Sequence, residues 1–270
     1  MRIKTIKTDK VISNGESLST ILDKYLTTFK EHSILAITSK IVSICEGRVI
    51  KIGDADKKQL ISQEAELLLP EESKYNITLT IKNNLLIPTA GIDESNGNGF
   101  YVLWPSDPQN TANKVRDYLR NRFSLKQVGV IITDSKTTPL RWGTTGVAIA
   151  HTGFLALNNY IGKPDIFGRA LKVTKANIMD ALAVTAVLIM GEGNEQTPLA
   201  VIKNIPFVQF QDRNPTEEEL DELKISLDDD LYAPLLKAVK WKKGGNFLKP
   251  KSFVLVDPEG VEPSTFSMPY

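Results

Sequence analysis

Five short apolar runs, mostly rich in β-branched residues, set the strongest limit on this fold: positions 34–38, 77–82, 128–133, 199–203 and 253–256. Each has the length of a strand and is too short for a buried helix. Between them lie segments with helical spacing. Residues 17–29 open on a capping-type serine, 57–69 stop at Pro70, and 110–123 alternate apolar and basic residues. Residues 176–190 have Thr174 as the expected N-cap and Gly191 as the expected C-terminal stop. Strands and helices do not alternate strictly, so the pattern predicts a mixed α/β (α+β) fold and not a doubly wound parallel sheet.

The character of the chain changes after Phe210, which divides it into a core of residues 1–210 and a C-terminal extension of 211–270. Thr216-Glu217-Glu218-Glu219 is a capping-box pattern opening a short acidic helix, and Asp228-Asp229-Asp230 precedes another. Lys240-Trp241-Lys242-Lys243-Gly244-Gly245 reads as a basic, flexible patch. Both charge runs are expected to be solvated surface with little chemistry of their own.

A net charge of +1 gives no electrostatic reason to expect a nucleic-acid or membrane partner. One cysteine cannot close an internal disulfide, and two distant histidines offer no zinc site. Residues 1–10 carry four basic side chains but no apolar stretch of the signal-peptide kind. The apolar run 181–190 is interrupted by Thr185 and is far too short to span a bilayer. A cytoplasmic location is the expectation.

Three oxygen-rich segments carry the candidate chemistry. Gly91-Ile92-Asp93-Glu94-Ser95-Asn96 places two carboxylates, a hydroxyl and a carboxamide in four consecutive positions. Thr133-Asp134-Ser135 closes an apolar strand, where site residues of open sheets often lie. Gly191-Glu192-Gly193-Asn194-Glu195 follows the apolar helix, with glycines that permit close approach to a phosphate. Taken singly, each is ordinary turn or cap chemistry. Taken together, Asp93, Asp134 and Glu192 on three loops would bind one or two divalent ions, which would neutralise a triphosphate. No Walker loop, dinucleotide fingerprint, zinc-protease motif or nucleophile elbow is present. Three further residues have two readings each. His151 is a proton donor or phosphate ligand, or else a hydrogen-bonded structural residue; Asp180 orients a site residue, or else caps a neighbouring segment. Cys45 reads as a small buried hydrophobe, not a nucleophile.

These segments stand in a wider set of motifs. It comprises Ile37-Thr38-Ser39-Lys40-Ile41-Val42-Ser43, Glu46-Gly47-Arg48, residues 90–96, Trp104-Pro105-Ser106-Asp107-Pro108, 130–134, Pro139-Leu140-Arg141, Val147-Ala148-Ile149, 168–174 and 190–195. In this order they resemble the coenzyme F-420 γ-glutamyl ligase family, over roughly residues 2–210. The resemblance implies a ligase-family fold without a Walker loop, an intertwined homodimer, and ligation of L-glutamate to a carboxylate-bearing coenzyme through an acyl phosphate. It implies GTP as co-substrate, bound through Val11, Ile12, Ser13, Asn14, Ser39, Lys40, Asn96, Met190, Gly191, Gly193, Asn194 and Glu195. Magnesium or manganese is implied on Asp93, Asp134, Ser135 and Glu192, with Asp93 and Asp134 central to catalysis.

The chain departs from the family pattern at several positions. Ile44 stands where the family usually has a lysine, and Lys40, in place of a small hydroxyl residue, either supplies that cation or lies on the surface. Glu192 replaces a usual glutamine, Ser135-Lys136-Thr137-Thr138 replaces a common Thr-Phe-Gly-Arg, and Ala150-His151 replaces a glycine-centred turn. The loop changes leave two acceptors open, the F-420 precursor and folate. A different class is also open: a non-catalytic nucleotide- and metal-binding member of the same fold, for which the missing lysine is the best support.

Overall fold

The computed structural model describes residues 1–12, 15–71 and 73–245; the expected strand at 253–256 lies outside them. The main sheet has five strands: β1 (Arg2–Ile6), β2 (Ser33–Thr38), β3 (Gly129–Thr138), β4 (Arg141–Thr152) and β5 (Leu199–Lys203). Their spatial order is β1-β5-β2-β3-β4, with β2 and β3 parallel and every other pair antiparallel. The sheet is therefore mixed, as the irregular alternation of strands and helices predicts.

Four helices flank it: α1 (Leu18–Tyr25), α2 (Ser39–Cys45), α3 (Pro108–Phe123) and α4 (Ile178–Met190). Strand alternation divides the buried side chains cleanly. Leu35, Ile37, Val130, Ile132, Leu199 and Val201 pack with Ile21, Leu22, Ala112 and Leu119 on one face. Ile34, Ala36, Ile131, Ala200 and Ile202 pack with Leu182, Ala183 and Ala186 of α4 on the other. Because both faces are covered, the central strands are apolar at nearly every position. Each fully buried Leu or Ile contributes about 1.5–3 kcal/mol relative to exposure.

A smaller sheet is built on the hairpin Leu79–Lys82 and Leu85–Pro88. Asn83 and Asn84 turn it with φ of 48° and 57°, the left-handed pair that matches strand twist. Leu67–Leu68 pairs with this hairpin, and Lys242–Lys243 pairs with Leu67–Leu68 as an edge strand.

Several local expectations hold. Ser17 caps α1 by accepting from the Thr20 amide, and Gly191 ends α4 with a φ of 82°. The Thr216–Glu219 capping box forms and opens the helix Glu217–Asp221. Two expectations are corrected. The helix expected over 57–69 ends at Glu64, because the Glu66 amide bonds the Ile81 carbonyl and 67–68 join the hairpin. The N-cap of α4 is Asn177, not Thr174: residues Lys175–Asn177 pair with Leu157–Asn159, so the helix starts later. Among the described residues no helix is long and apolar enough to cross a membrane.

Candidate functional site

One cavity of about 600 Å³ gathers the three oxygen-rich segments. Its walls come from the C-terminal end of β2, the middle of β3, the first turn of α2, the 93–98 loop and the loop after α4; β3 runs on to Thr138, so Asp134 lies within the strand and not at its end. Every described residue that the family resemblance implies for nucleotide or metal lines it: Val11, Ile12, Ser39, Lys40, Asp93, Asn96, Asp134, Ser135, Met190, Gly191, Glu192, Gly193, Asn194 and Glu195. Ser13 and Asn14 lie outside the described residues.

Asp93 sits beyond a strained turn. Thr89, Ala90 and Gly91 all have positive φ, at 53°, 53° and 75°, costly for the first two and held by surrounding bonds. The buried Thr80 hydroxyl donates to the Ile87 carbonyl at 2.7 Å and accepts from the Ala90 amide at 2.9 Å. After the turn, the Ser95 amide donates to Asp93 Oδ1 at 2.8 Å and the Ser95 hydroxyl to Asp93 Oδ2 at 2.7 Å. Lys40 Nζ donates to Asp93 Oδ2, also at 2.7 Å. Burial alone would raise the Asp93 pKa, but the bonds from Lys40 and Ser95 outweigh it and hold the carboxylate below its usual range.

Asp134 lies one residue beyond the parallel register Thr38↔Thr133. A register shift between Ile132 and Thr133 on the β4 side kinks the ladder just before it, a device that re-aims side chains next to sites. Trp104 Nε1 donates to Asp134 Oδ2, and the Ser135 amide donates to Oδ1 at 2.9 Å. The indole reaches this position only because residue 91 is glycine: a Cβ there would lie 2.1 Å from Trp104 Nε1. Desolvation pushes the Asp134 carboxyl up to about 6, against the Trp104 and Ser135 hydrogen bonds; the Asp93 charge adds to the rise and Lys40 opposes it. Trp104 was legible only as part of a motif, since nothing in the sequence indicates what an indole will touch.

The loop after α4 is tied at both ends. The Thr197 hydroxyl donates to the Met190 carbonyl at 2.5 Å, and Asn96 Nδ2 donates to the Gly193 carbonyl at 2.9 Å, joining this loop to the 93–96 loop. Glu195 folds back to accept from the Gly193 amide at 2.8 Å. A Cβ on Gly191 would lie 2.5 Å from that carboxylate carbon, which can move aside as the end of a flexible side chain, so it is the φ of 82° that calls for glycine. Burial raises the Glu192 pKa; Ser135 hydrogen bonding and the Lys40 charge oppose it, while Asp93 and Glu195 add to the rise.

Lys40 is therefore a cation inside the site and not a surface residue. Ile44, where the resemblance leads one to expect a lysine, is buried in the same cavity wall. Asp180 is a cap: it accepts from the Ala148 amide at 2.9 Å and from Asn177 Nδ2 at 2.6 Å. Cys45 is half-buried and free, and desolvation pushes its thiol up to about 12, so it is no nucleophile at neutral pH.

His151 does not line this cavity. It is buried edge-on to Phe154, with Nδ1 unpartnered and, among the described residues, only its backbone hydrogen-bonded, so its ring is a buried packing group and not the hydrogen-bonded one expected. Burial lowers its pKa from 6.5 to about 4. Below pH 6.5 the unfolded chain takes up a proton that the folded protein refuses until about pH 4. Stability present above 6.5 is thus lost as pH falls across that window, by about 3 kcal/mol. His151→Phe should remove that part of the acid sensitivity in urea unfolding at pH 7 and pH 4. An unchanged pH dependence would show that the ring is solvated in the native protein.

The fit of a divalent ion can be tested on the donor set. Asp93, Asp134, Ser135 and Glu192 offer only hard oxygen donors to the cavity, which suits magnesium or manganese. Among the described residues, however, no group of three His, Cys, Asp or Glu side chains forms a ready-made cage. Among the described residues neither Asp134 nor Glu192 forms an ion pair, although the Lys40 charge reaches both, whereas Asp93 holds Lys40 directly.

A cleft of this kind, with hard donors, two lysines (Lys10 and Lys40) and glycine-flanked amides set against a mixed sheet, can bind a polyanion together with a cation. The F420-0:Gamma-glutamyl ligase family model matches residues 5–204, and the chain belongs to that family. It is 30% identical to the Coenzyme F420:L-glutamate ligase of Methanopyrus kandleri, over 76% of this chain and 87% of that protein. It is 34% identical to the enzyme of the same name from Methanococcus maripaludis strain C7, over 75% and 87%. To that of Methanocaldococcus jannaschii it is 33% identical, over 78% and 92%.

Proposed function

We propose that this chain is a GTP- and divalent-metal-dependent γ-glutamyl ligase that joins L-glutamate to the carboxylate of a coenzyme acceptor. The carrying observation is the single cavity that brings Lys40, Asp93, Asp134, Ser135 and Glu192 together with the 191–195 loop. The names of the relatives favour an F-420-type acceptor over folate. In this reading the acceptor carboxylate attacks the γ-phosphorus of GTP, GDP leaves, and the glutamate amine then displaces phosphate from the acyl phosphate. A divalent ion, when bound, would neutralise the triphosphate from Asp134, Ser135 and Glu192. Lys40 offers a positive charge to the phosphates, and the amides of the 191–195 loop offer donors once Glu195 swings aside. The strained 89–91 turn and the Trp104 indole hold Asp93 and Asp134 in place.

A homodimer accompanies this reading. Leu140 and Trp142 at the β3–β4 hairpin, Phe167, Val173 and Leu188 are large apolar side chains left exposed, and a second copy would cover them. Incubating the protein with GTP, magnesium, L-glutamate and either acceptor, with mass spectrometry of the acceptor and a phosphate assay, tests the proposal. A product heavier by one or more glutamates, with phosphate released, is expected. Thermal stabilisation by GTP without phosphate release would instead identify a non-catalytic binder.

Ile44→Lys tests the same point from the protein side. With Lys40 already in the cavity, the added charge should change GTP affinity by less than about tenfold. A large gain in turnover on this substitution would mean that the natural chain is a decayed enzyme.

A further inference from the structure

The surroundings of Lys40 resemble an ion's coordination shell. An ammonium has three N–H donors, and Nζ reaches three oxygens: Asp93 Oδ2 at 2.7 Å, the Ser95 carbonyl at 2.6 Å and the Ser95 hydroxyl at 3.1 Å. Its side chain is only 25% exposed. The remaining Asp93 oxygen is engaged by the Ser95 amide. The 93–95 loop is thus wrapped around a positive point charge with oxygen on every donor, which is the environment a hard divalent ion seeks. Among the described residues Asp134, Ser135 and Glu192 have no cation in direct contact: the donors to Asp134 are an indole and an amide.

We propose that the Lys40 ammonium permanently takes the place of one of two divalent ions, so that this chain binds a single divalent ion, on Asp134, Ser135 and Glu192. The inference rests on the metal-dependent reading above. It assigns Asp93 a different duty from Asp134: Asp93 orients a lysine toward the phosphates and is not itself a ligand. With serine at position 40, Asp93 Oδ2 would lose its cationic partner and keep only the Ser95 hydroxyl, which an ion can displace.

Mn²⁺ binding to the full chain, read from the loss of the free-ion electron paramagnetic resonance signal, tests this without any turnover. The natural chain should bind one equivalent. Lys40→Ser should bind two, and Asp93→Asn in the natural background should keep the single equivalent. Two equivalents on the natural chain, or loss of the single ion in Asp93→Asn, would overturn the proposal; the first outcome requires no variant to fold. No Mn²⁺ on any of the three proteins would overturn the metal-dependent reading itself, and this inference with it.

Discussion

Asp134→Asn is expected to abolish turnover while leaving the fold intact. Removing the charge from the most enclosed carboxylate of the site forfeits several kcal/mol of stabilisation of a metal-bound triphosphate, a fall of at least about 10³-fold. The structural cost is limited to one hydrogen bond, on the order of 1 kcal/mol, because asparagine keeps an oxygen for the Trp104 donor but sets its NH2 against the Ser135 amide. The sign of the stability change follows from the pKa. A carboxyl raised from 3.8 to about 6 holds its proton more tightly in the folded protein than in the unfolded chain. The folded state therefore carries no penalty below pH 3.8 and the full penalty above about 6, at most about 3 kcal/mol and less where cavity water screens it. In excess chelator at pH 7, the Asn variant should be at least as stable as the natural protein in urea unfolding. Near-normal turnover would reduce Asp134 to a turn residue, and a loss of several kcal/mol would make its charge structural.

Removal of divalent cations should have an effect of similar size. Turnover should fall to background in excess chelator and return with magnesium or manganese in preference to calcium. Asp134, Ser135 and Glu192 present few, hard donors, which suits the smaller ions better than one that takes six to eight ligands. Full turnover in excess chelator would rule out metal assistance and leave Lys40 as the charge that meets the phosphates.

Much of the site was legible because its chemistry is local. Asp93 with Ser95 forms a side-chain-to-backbone turn within three residues, Gly191 ends a helix, and Asp134 follows an apolar run. Short-range hydrogen bonding and strand periodicity fix such features wherever the chain goes. Boundaries were less legible where a distant partner intervenes. Residues 67–68 leave helical spacing because the hairpin offers them a ladder, and Asn177 takes the cap because 175–177 pair with 157–159. Tertiary pairing outcompetes propensity at such positions.

The sequence by itself determined the mixed α/β class, the continuous apolar runs of β2 and β3, the capping of α1, and the identity of the oxygen-rich loops. Those depend on side-chain type and short spacing. Only the tertiary structure decided that Lys40 meets Asp93 across 53 residues, that Trp104 donates to Asp134 across 30, and that Asn96 joins Gly193 across 97. It also decided that Asp180 caps a strand and that His151 is buried away from the cavity. The charge state of a carboxylate depends on what surrounds it in space, and those neighbours come from segments whose meeting is set by sheet order and register, which no local stretch of sequence contains.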